Sequence, residues 1–177
     1  MNRIVSLILI VVVALGGIVL ASMYFSYNNR EISLRKECDA QKGKVEGVYD
    51  KMWKVVQQKA QVSNEYKESF HEIYADIIGG RYSGESDPLF KVIHEANPQF
   101  DASLYKDLMQ SIEILRTEFQ HSQERMIDLI REHEVLISTY PSKWFVTNKT
   151  PIDYTIISST KAKRTMETGL DDDVSLF

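Results

Sequence analysis

IVSLILIVVVALGGIVLASMYF, residues 4 to 25, is the stretch whose reading decides the architecture. No charged residue lies between Arg3 and Arg30, and nearly every side chain in the run is Ile, Val, Leu, Ala or Gly. At 1.5 Å of rise per residue, about 22 helical residues span roughly 33 Å, the thickness of a bilayer's hydrocarbon core. A helix satisfies its own backbone polar groups in lipid. Tyr24 and Tyr27 fall where interfacial aromatics are expected. The stretch therefore reads as one membrane-spanning helix that carries a long helical domain.

A cleaved signal peptide is the competing reading, with Arg3 as the positive n-region and Val19-Leu20-Ala21 as a small-residue cleavage site. Length argues against it, because a signal h-region is only about 7–15 apolar residues. Apolar residues also continue past Ala21 through Met23, Tyr24 and Phe25. Flanking charge sets the expected orientation. Arg3 stands alone before the run, whereas Arg30, Arg35, Lys36, Lys42 and Lys44 follow it. Lys and Arg near a span tend to stay cytoplasmic. The expected location is the cell (inner) membrane, with the domain after the span in the cytoplasm.

The 177 residues leave one domain's worth of chain beyond the span, and the net charge of −4 comes from well-mixed acids and bases. A nucleic-acid footprint would need a clustered basic face, which the sequence does not show. With only 8 Gly and 4 Pro, the chain should form long uninterrupted elements. The single Cys38 excludes an intrachain disulfide framework and a Cys-based zinc site, and reads as a small buried helix residue.

From Asn28 to Ile78 there is no Pro. Core-compatible residues recur at Leu34, Cys38, Gln41, Val45, Val48, Met52, Val55, Lys59, Val62, Tyr66, Ser69, Ile73 and Ile77. Steps of four and three are the rhythm of a coiled-coil seam, here imperfect at the polar positions Gln41, Lys59 and Ser69. A second stripe (Tyr49, Trp53, Val56, Ala60, Phe70, Tyr74, Ile78) widens the face, as in a bundle. The pattern predicts one helix running to Gly79-Gly80, a glycine stop. A polar connection follows from Arg81 to Ser86. Asp87-Pro88 then starts a short helix to Ala96, with Leu89, Val92 and Ile93 on one face, and Asn97-Pro98 ends it.

Asp101 is positioned to cap a second long helix, about 102 to 140. Its seam is Leu104, Leu108, Ser111, Leu115, Phe119, Ser122, Met126, Leu129, His133, Leu136 and Tyr140, broadened by Ile112, Ile130 and Ile137. Pro141 terminates it. The two long helices are expected to pack as an antiparallel pair. The fold class is thus all-α: a transmembrane helix continuing into an antiparallel bundle or coiled-coil hairpin, with a short helix in the connection and a weakly structured tail. The segments are 1–27 (anchor), 28–141 (bundle) and 142–177 (tail). Trp144 and Phe145 have two readings, against the bundle or at the membrane surface, and lodging against the helices is the one expected. Lys161, Lys163 and Arg164 precede the acidic Asp171-Asp172-Asp173, and the terminal Leu176-Phe177 reads as a frayed end. Asn148-Lys149-Thr150 fits a glycosylation sequon, which carries no meaning in a cytoplasmic or bacterial setting.

Several features together resemble a known family: an N-terminal span running into Tyr27-Asn28 and Leu34-Arg35, the stretch from Asp39 to Gly43, and Tyr49 to Trp53. A second long helix ending at Tyr140-Pro141 and an acidic, Phe-ended C-terminus complete the pattern. The chain resembles the LemA family of bacterial membrane proteins, as a divergent or phage-borne member. The resemblance covers most of the chain but rests on helix patterns rather than site signatures. It implies a single-pass protein with an antiparallel helical bundle, and it supplies no catalytic residues. The chain departs from the commoner members by lacking Pro in the first long helix and by its short middle helix, which weighs against a full four-helix bundle.

Glu68-Ser-Phe-His71 and Glu118-Phe-Gln-His121 have the Glu-x-x-His spacing of di-iron carboxylate bundles. In the seam register all four residues lie off the core line. In a hairpin the two pairs would sit roughly 18 Å apart along the axis, against about 4 Å between metals sharing a site. They read as solvated helix faces. His94 and His133 read as ordinary helix residues, His133 at the edge of the seam. Gly79-Gly80 lacks the residues of a phosphate-binding loop, and no Ser-His-Asp signature is evident. No catalytic, cofactor-binding or metal-ligating residue is assigned.

Two function classes follow. The first is a non-enzymatic membrane-anchored scaffold of the cell envelope. Its partners would be the lipid bilayer and membrane or envelope proteins, a second copy of the chain included, with neither nucleic acid nor a small-molecule substrate. The second is a tethered metal protein or enzyme. A helical protein secreted after cleavage at Ala21 is a further alternative.

Overall fold

The computed structural model describes residues 3–79, 87–100, 102–158 and 167–168. The expected polar connection 81–86, the Asp101 cap and the charged end of the tail lie outside these residues. Among the described residues five helices carry the fold: α1 (Arg3–Ala60), α2 (Lys67–Gly79), α3 (Pro88–Ala96), α4 (Ala102–Ser138) and α5 (Ser142–Phe145). A 3-10 turn, Asn64–Tyr66, precedes α2. The long first helix packs against α4, so the all-α hairpin with a short helix in its connection is the observed architecture. The chain forms two compact units, one from Met1–Lys42 with Glu124–Tyr154, the other from Gly43–Gln123 with Thr155–Phe177.

In the first unit α1 buries Glu31, Leu34, Cys38 and Gln41, and α4 buries Met126, Leu129, His133 and Ile137. Both sets follow three- and four-residue steps, so each helix presents one narrow stripe. Leu34, Cys38, Met126 and Leu129 form the apolar centre, with Ile130 and Leu136 packed on it. Ile152 and Tyr154, from the segment after α5, cover the same centre. Arg30 pairs with Glu132, and Glu31 meets His133, joining the two helices at this level.

In the second unit the helix expected to run from 28 to 78 is broken. α1 stops at Ala60, and Gln61 takes a φ of 56°, the left-handed conformation that reverses a helix end. The Nδ2 of Asn97 donates to the freed Ala60 carbonyl at 3.2 Å, and Gln57 bonds Asn64 at 2.7 Å across the break. The physical reason lies in the apolar phase. Met52, Trp53, Val56 and Ala60 are buried, but the next positions on that face would be Ser63, Asn64 and Lys67, all polar. The seam drawn straight through needed Lys59 in the core. Instead Lys59 is exposed and pairs with Asp107 at 2.6 Å.

Breaking the helix lets α2 return along α1. Ring pairs Tyr49–Tyr74 (4.6 Å) and Trp53–Phe70 (5.2 Å) fix that return as antiparallel. Phe70, Tyr74, Ile77 and Ile78 then enter the core at helical spacing, beside Leu89 and Ile93 of α3 and Leu108, Ile112, Leu115 and Phe119 of α4. Four helical segments share this core. α4 also runs antiparallel to α1 here, with Lys51–Glu118 at 2.7 Å and Lys59–Asp107.

α3 begins as Asp87-Pro88 predicts: the Asp87 carboxylate accepts from the Leu89 amide at 2.8 Å, and Pro88 opens the helix. The Tyr105 phenol packs on the same carboxylate, and burial, reinforced by Asp87, pushes its pKa well up. α4 ends two residues earlier than expected, at Ser138. Leu104 and Tyr140, the outermost members of its expected seam, are exposed.

Candidate functional site

The residues that follow the apolar run build a tightly bonded collar within the first unit. Asn28, one turn beyond Tyr24, uses its whole carboxamide. Its Nδ2 donates to the Tyr24 carbonyl and to the Phe145 carbonyl, both at 2.8 Å. Its Oδ1 accepts from the Thr147 amide at 3.0 Å. The Tyr27 and Phe145 rings stack at 5.9 Å, and the Tyr24 hydroxyl lies 3.4 Å from the Thr147 hydroxyl. Asn is suited to this role because one planar group offers both donors and acceptors. The chain after α5 is thereby fixed to α1 at the end of the apolar stretch.

One turn further along, a polar layer crosses the core. Glu31 is 3% exposed and His133 0%. The Glu31 carboxylate accepts from Arg35 and lies 3.4 Å from His133 Nε2. Arg35 also donates to the Thr150 carbonyl, tying the post-α5 segment to the same layer. Nδ1 of His133 has no hydrogen-bond partner among the described residues. A buried acid is tolerated only when such donors surround it. At the rim, Arg30 pairs with Glu132 and Glu37, and the hydrogen bond to Glu132 raises its pKa further.

His133, expected at the edge of the seam, is therefore fully enclosed and paired with an acid. Glu31 lies three residues before Leu34 and so continues the α1 seam by one step beyond its expected start. Cys38, in the same core, is 1% exposed; burial first, then Asp39 and Glu37, pushes its thiol pKa up, away from the reactive thiolate. Tyr154 covers the apolar centre from the tail side; burial raises its phenol pKa, and its hydroxyl has no partner among the described residues.

The Glu-x-x-His residues lie elsewhere, in the second unit. Glu68, His71, Glu118 and His121 are all exposed. Glu118 is engaged by Lys51, and the His71 ring packs edge-on against Tyr49 at 5.6 Å. Among the described residues no three His, Cys, Asp or Glu side chains group so as to hold a metal ion. His94 of α3 lies beside Phe90 at 5.6 Å and borders a shallow surface depression with Lys91 and Glu95.

Trp144, expected to lodge against the helices, does not. It is 73% exposed and meets Tyr140 edge-on at 4.9 Å. Its neighbour Phe145 takes the packed position against Tyr27 instead. The residues 146–158 form no strand; Val146, Ile152 and Tyr154 turn inward as an irregular cover. In the second unit the Gln123 carboxamide pairs with both backbone groups of Ile157, at 2.9 and 3.0 Å.

Comparison with family models, with curated proteins and with solved structures finds no match.

Proposed function

We propose that the chain is a single-pass membrane protein of the cell envelope whose helical domain is an interaction scaffold, LemA-like and without chemistry of its own. One observation carries this reading. From Ile4 to Ser22 every residue is exposed, although the stretch is almost wholly apolar and belongs to the same helix that enters the packed core. Soluble proteins rarely leave contiguous apolar patches larger than a few hundred Å² uncovered. About 22 such residues in helical form match the hydrocarbon thickness. The polar collar at Asn28 begins where that length ends.

The domain that follows offers charged helix faces to partners, such as the Arg125, Asp128, Arg131 and Glu132 face of α4. The resemblance to the LemA family supports the same reading, and the basic residues after the span favour a cytoplasmic domain. The test is protease access to a C-terminal tag in intact spheroplasts, read by mass. A full-length chain with a protected tag is expected. A digested tag on a full-length chain would put the domain outside. A chain beginning near Ser22 would overturn the anchor itself.

A further inference from the structure

The corner between α4 and α5 carries side chains whose exposure no packing in the first unit accounts for. Tyr140 is 64% and Trp144 73% exposed, and their rings meet each other edge-on rather than packing on the core. Lys143 stands between them, its ammonium 5.7 Å from the Tyr140 ring. Two aromatics in edge contact and a Lys on a five-residue stretch are the composition of a membrane-interface anchor. Tyr and Trp place an apolar body and a polar edge at the headgroup level, and Lys reaches outward to phosphate.

Position supports composition. Asn28 holds Phe145 and Thr147, and Tyr24 reaches Thr147. Phe25, the last residue of the apolar run, and Asn28 are three residues apart, about 4.5 Å of helix rise. The headgroup zone on each side of a bilayer is roughly 5–7 Å thick. If α1 crosses the membrane, the residues beside Phe145 are held within that zone by hydrogen bonds to the spanning helix itself. We infer that the Tyr140–Phe145 corner is a second membrane contact, in which Tyr140 and Trp144 enter the headgroup region of the bilayer that α1 spans and Lys143 meets lipid phosphate. This rests on the membrane reading of residues 4–25. It makes the domain lie against the bilayer at two points rather than hang from one.

The chain has two tryptophans, so Trp53→Phe leaves Trp144 as the sole reporter. The full-length protein is reconstituted in phosphatidylcholine vesicles with a minority of phosphatidylglycerol, some carrying bromine high on the acyl chains. Trp144 emission should be blue-shifted, strongly quenched by the brominated lipid, and quenched by iodide several-fold less than free tryptophan. Because Trp53 is buried, its replacement can disturb folding. The difference between wild type and Trp144→Phe, a change at an exposed position, gives the same readout with the core intact. A separate chain, Leu15→Trp with Trp53→Phe and Trp144→Phe, reports on the span in vesicles brominated deep on the acyl chains, because residue 15 lies at the middle of the apolar run. Quenching of the Leu15→Trp reporter with none at Trp144 overturns the second contact and leaves the anchor standing. Quenching at neither position overturns the membrane reading and the second contact with it.

Discussion

Replacing Gln61 by Gly should stabilise the protein, and the sign of the effect separates two structures. In the observed chain Gln61 holds φ at 56°, outside α1, with its side chain exposed. A non-glycine residue pays about 1–2 kcal/mol for the left-handed conformation. Gly removes that cost but adds unfolded-state entropy of about 0.4–1 kcal/mol. The net is a gain of roughly 0.5 kcal/mol, which for a chain of this size raises Tm by about 1–2 °C. Were residue 61 inside a continuous helix, as the apolar rhythm alone suggests, Gly would instead cost about 0.5–1 kcal/mol and lower Tm. Gln61→Ala serves as the control. It should be close to neutral at a left-handed position and mildly stabilising within a helix. Thermal unfolding of the full chain in mild detergent, followed by circular dichroism, measures all three. A Gln61→Gly protein that melts below wild type, with Gln61→Ala above it, would refute the helix break.

Glu31→Ala removes the acceptor shared by Arg35 and His133, and should cost about 3 kcal/mol, since a buried donor left unpaired is expensive. Glu132→Ala, whose pair with Arg30 is half exposed, should change stability by less than about 1 kcal/mol in the same melt. Asn28→Ala breaks the bonds to Phe145 and Thr147 and should expose α5 and the chain after it to trypsin at Lys143 and Lys149 well before the long helices are cut; unchanged digestion kinetics would contradict the collar. The Cys38 thiol should resist maleimide at pH 8 in the folded protein and label fully in urea, as read by intact mass. Because burial raises its folded pKa, the contribution of the neutral thiol is fully present below the unfolded pKa of about 8.5 and is lost as pH rises through the folded value. Stability should therefore fall faster above pH 9 in wild type than in Cys38→Ala.

Much of this fold is legible in the residue order. Asp87-Pro88 and Asn97-Pro98 bracket α3 because each dipeptide acts on the backbone locally, and the observed limits agree. The seam of α4 from Leu108 to His133 is legible because one uninterrupted stripe faces one partner. The break at Gln61 is not marked by Gly or Pro. Its signal is the polar run Ser63-Asn64-Glu65 falling where the face of Trp53, Val56 and Ala60 should continue, and a seam that accepts Lys59 hides it. Tertiary packing of Phe70 and Tyr74 against Tyr49 and Trp53 outweighs the helix that local propensity would extend. The seam read from the sequence begins at Leu34, one step after Glu31, yet an acid and a His at facing seam positions form a recognisable pair. The exposure of Trp144 depends on which of two adjacent aromatics turns toward Tyr27, and nothing in the local sequence chooses between them.

α1 runs without interruption from the apolar stretch into the stripe that begins at Glu31. Each residue of an α-helix turns the chain by about 100°. Inserting one residue after Phe25 would swing Glu31, Leu34 and Cys38 through that angle relative to the face shown by Tyr24, and seven residues would bring them back to within about 20°. The helix thus works as a keyed shaft: the azimuth of the apolar stretch dictates the azimuth of the packed stripe, and length changes at this junction keep that relation only in whole turns.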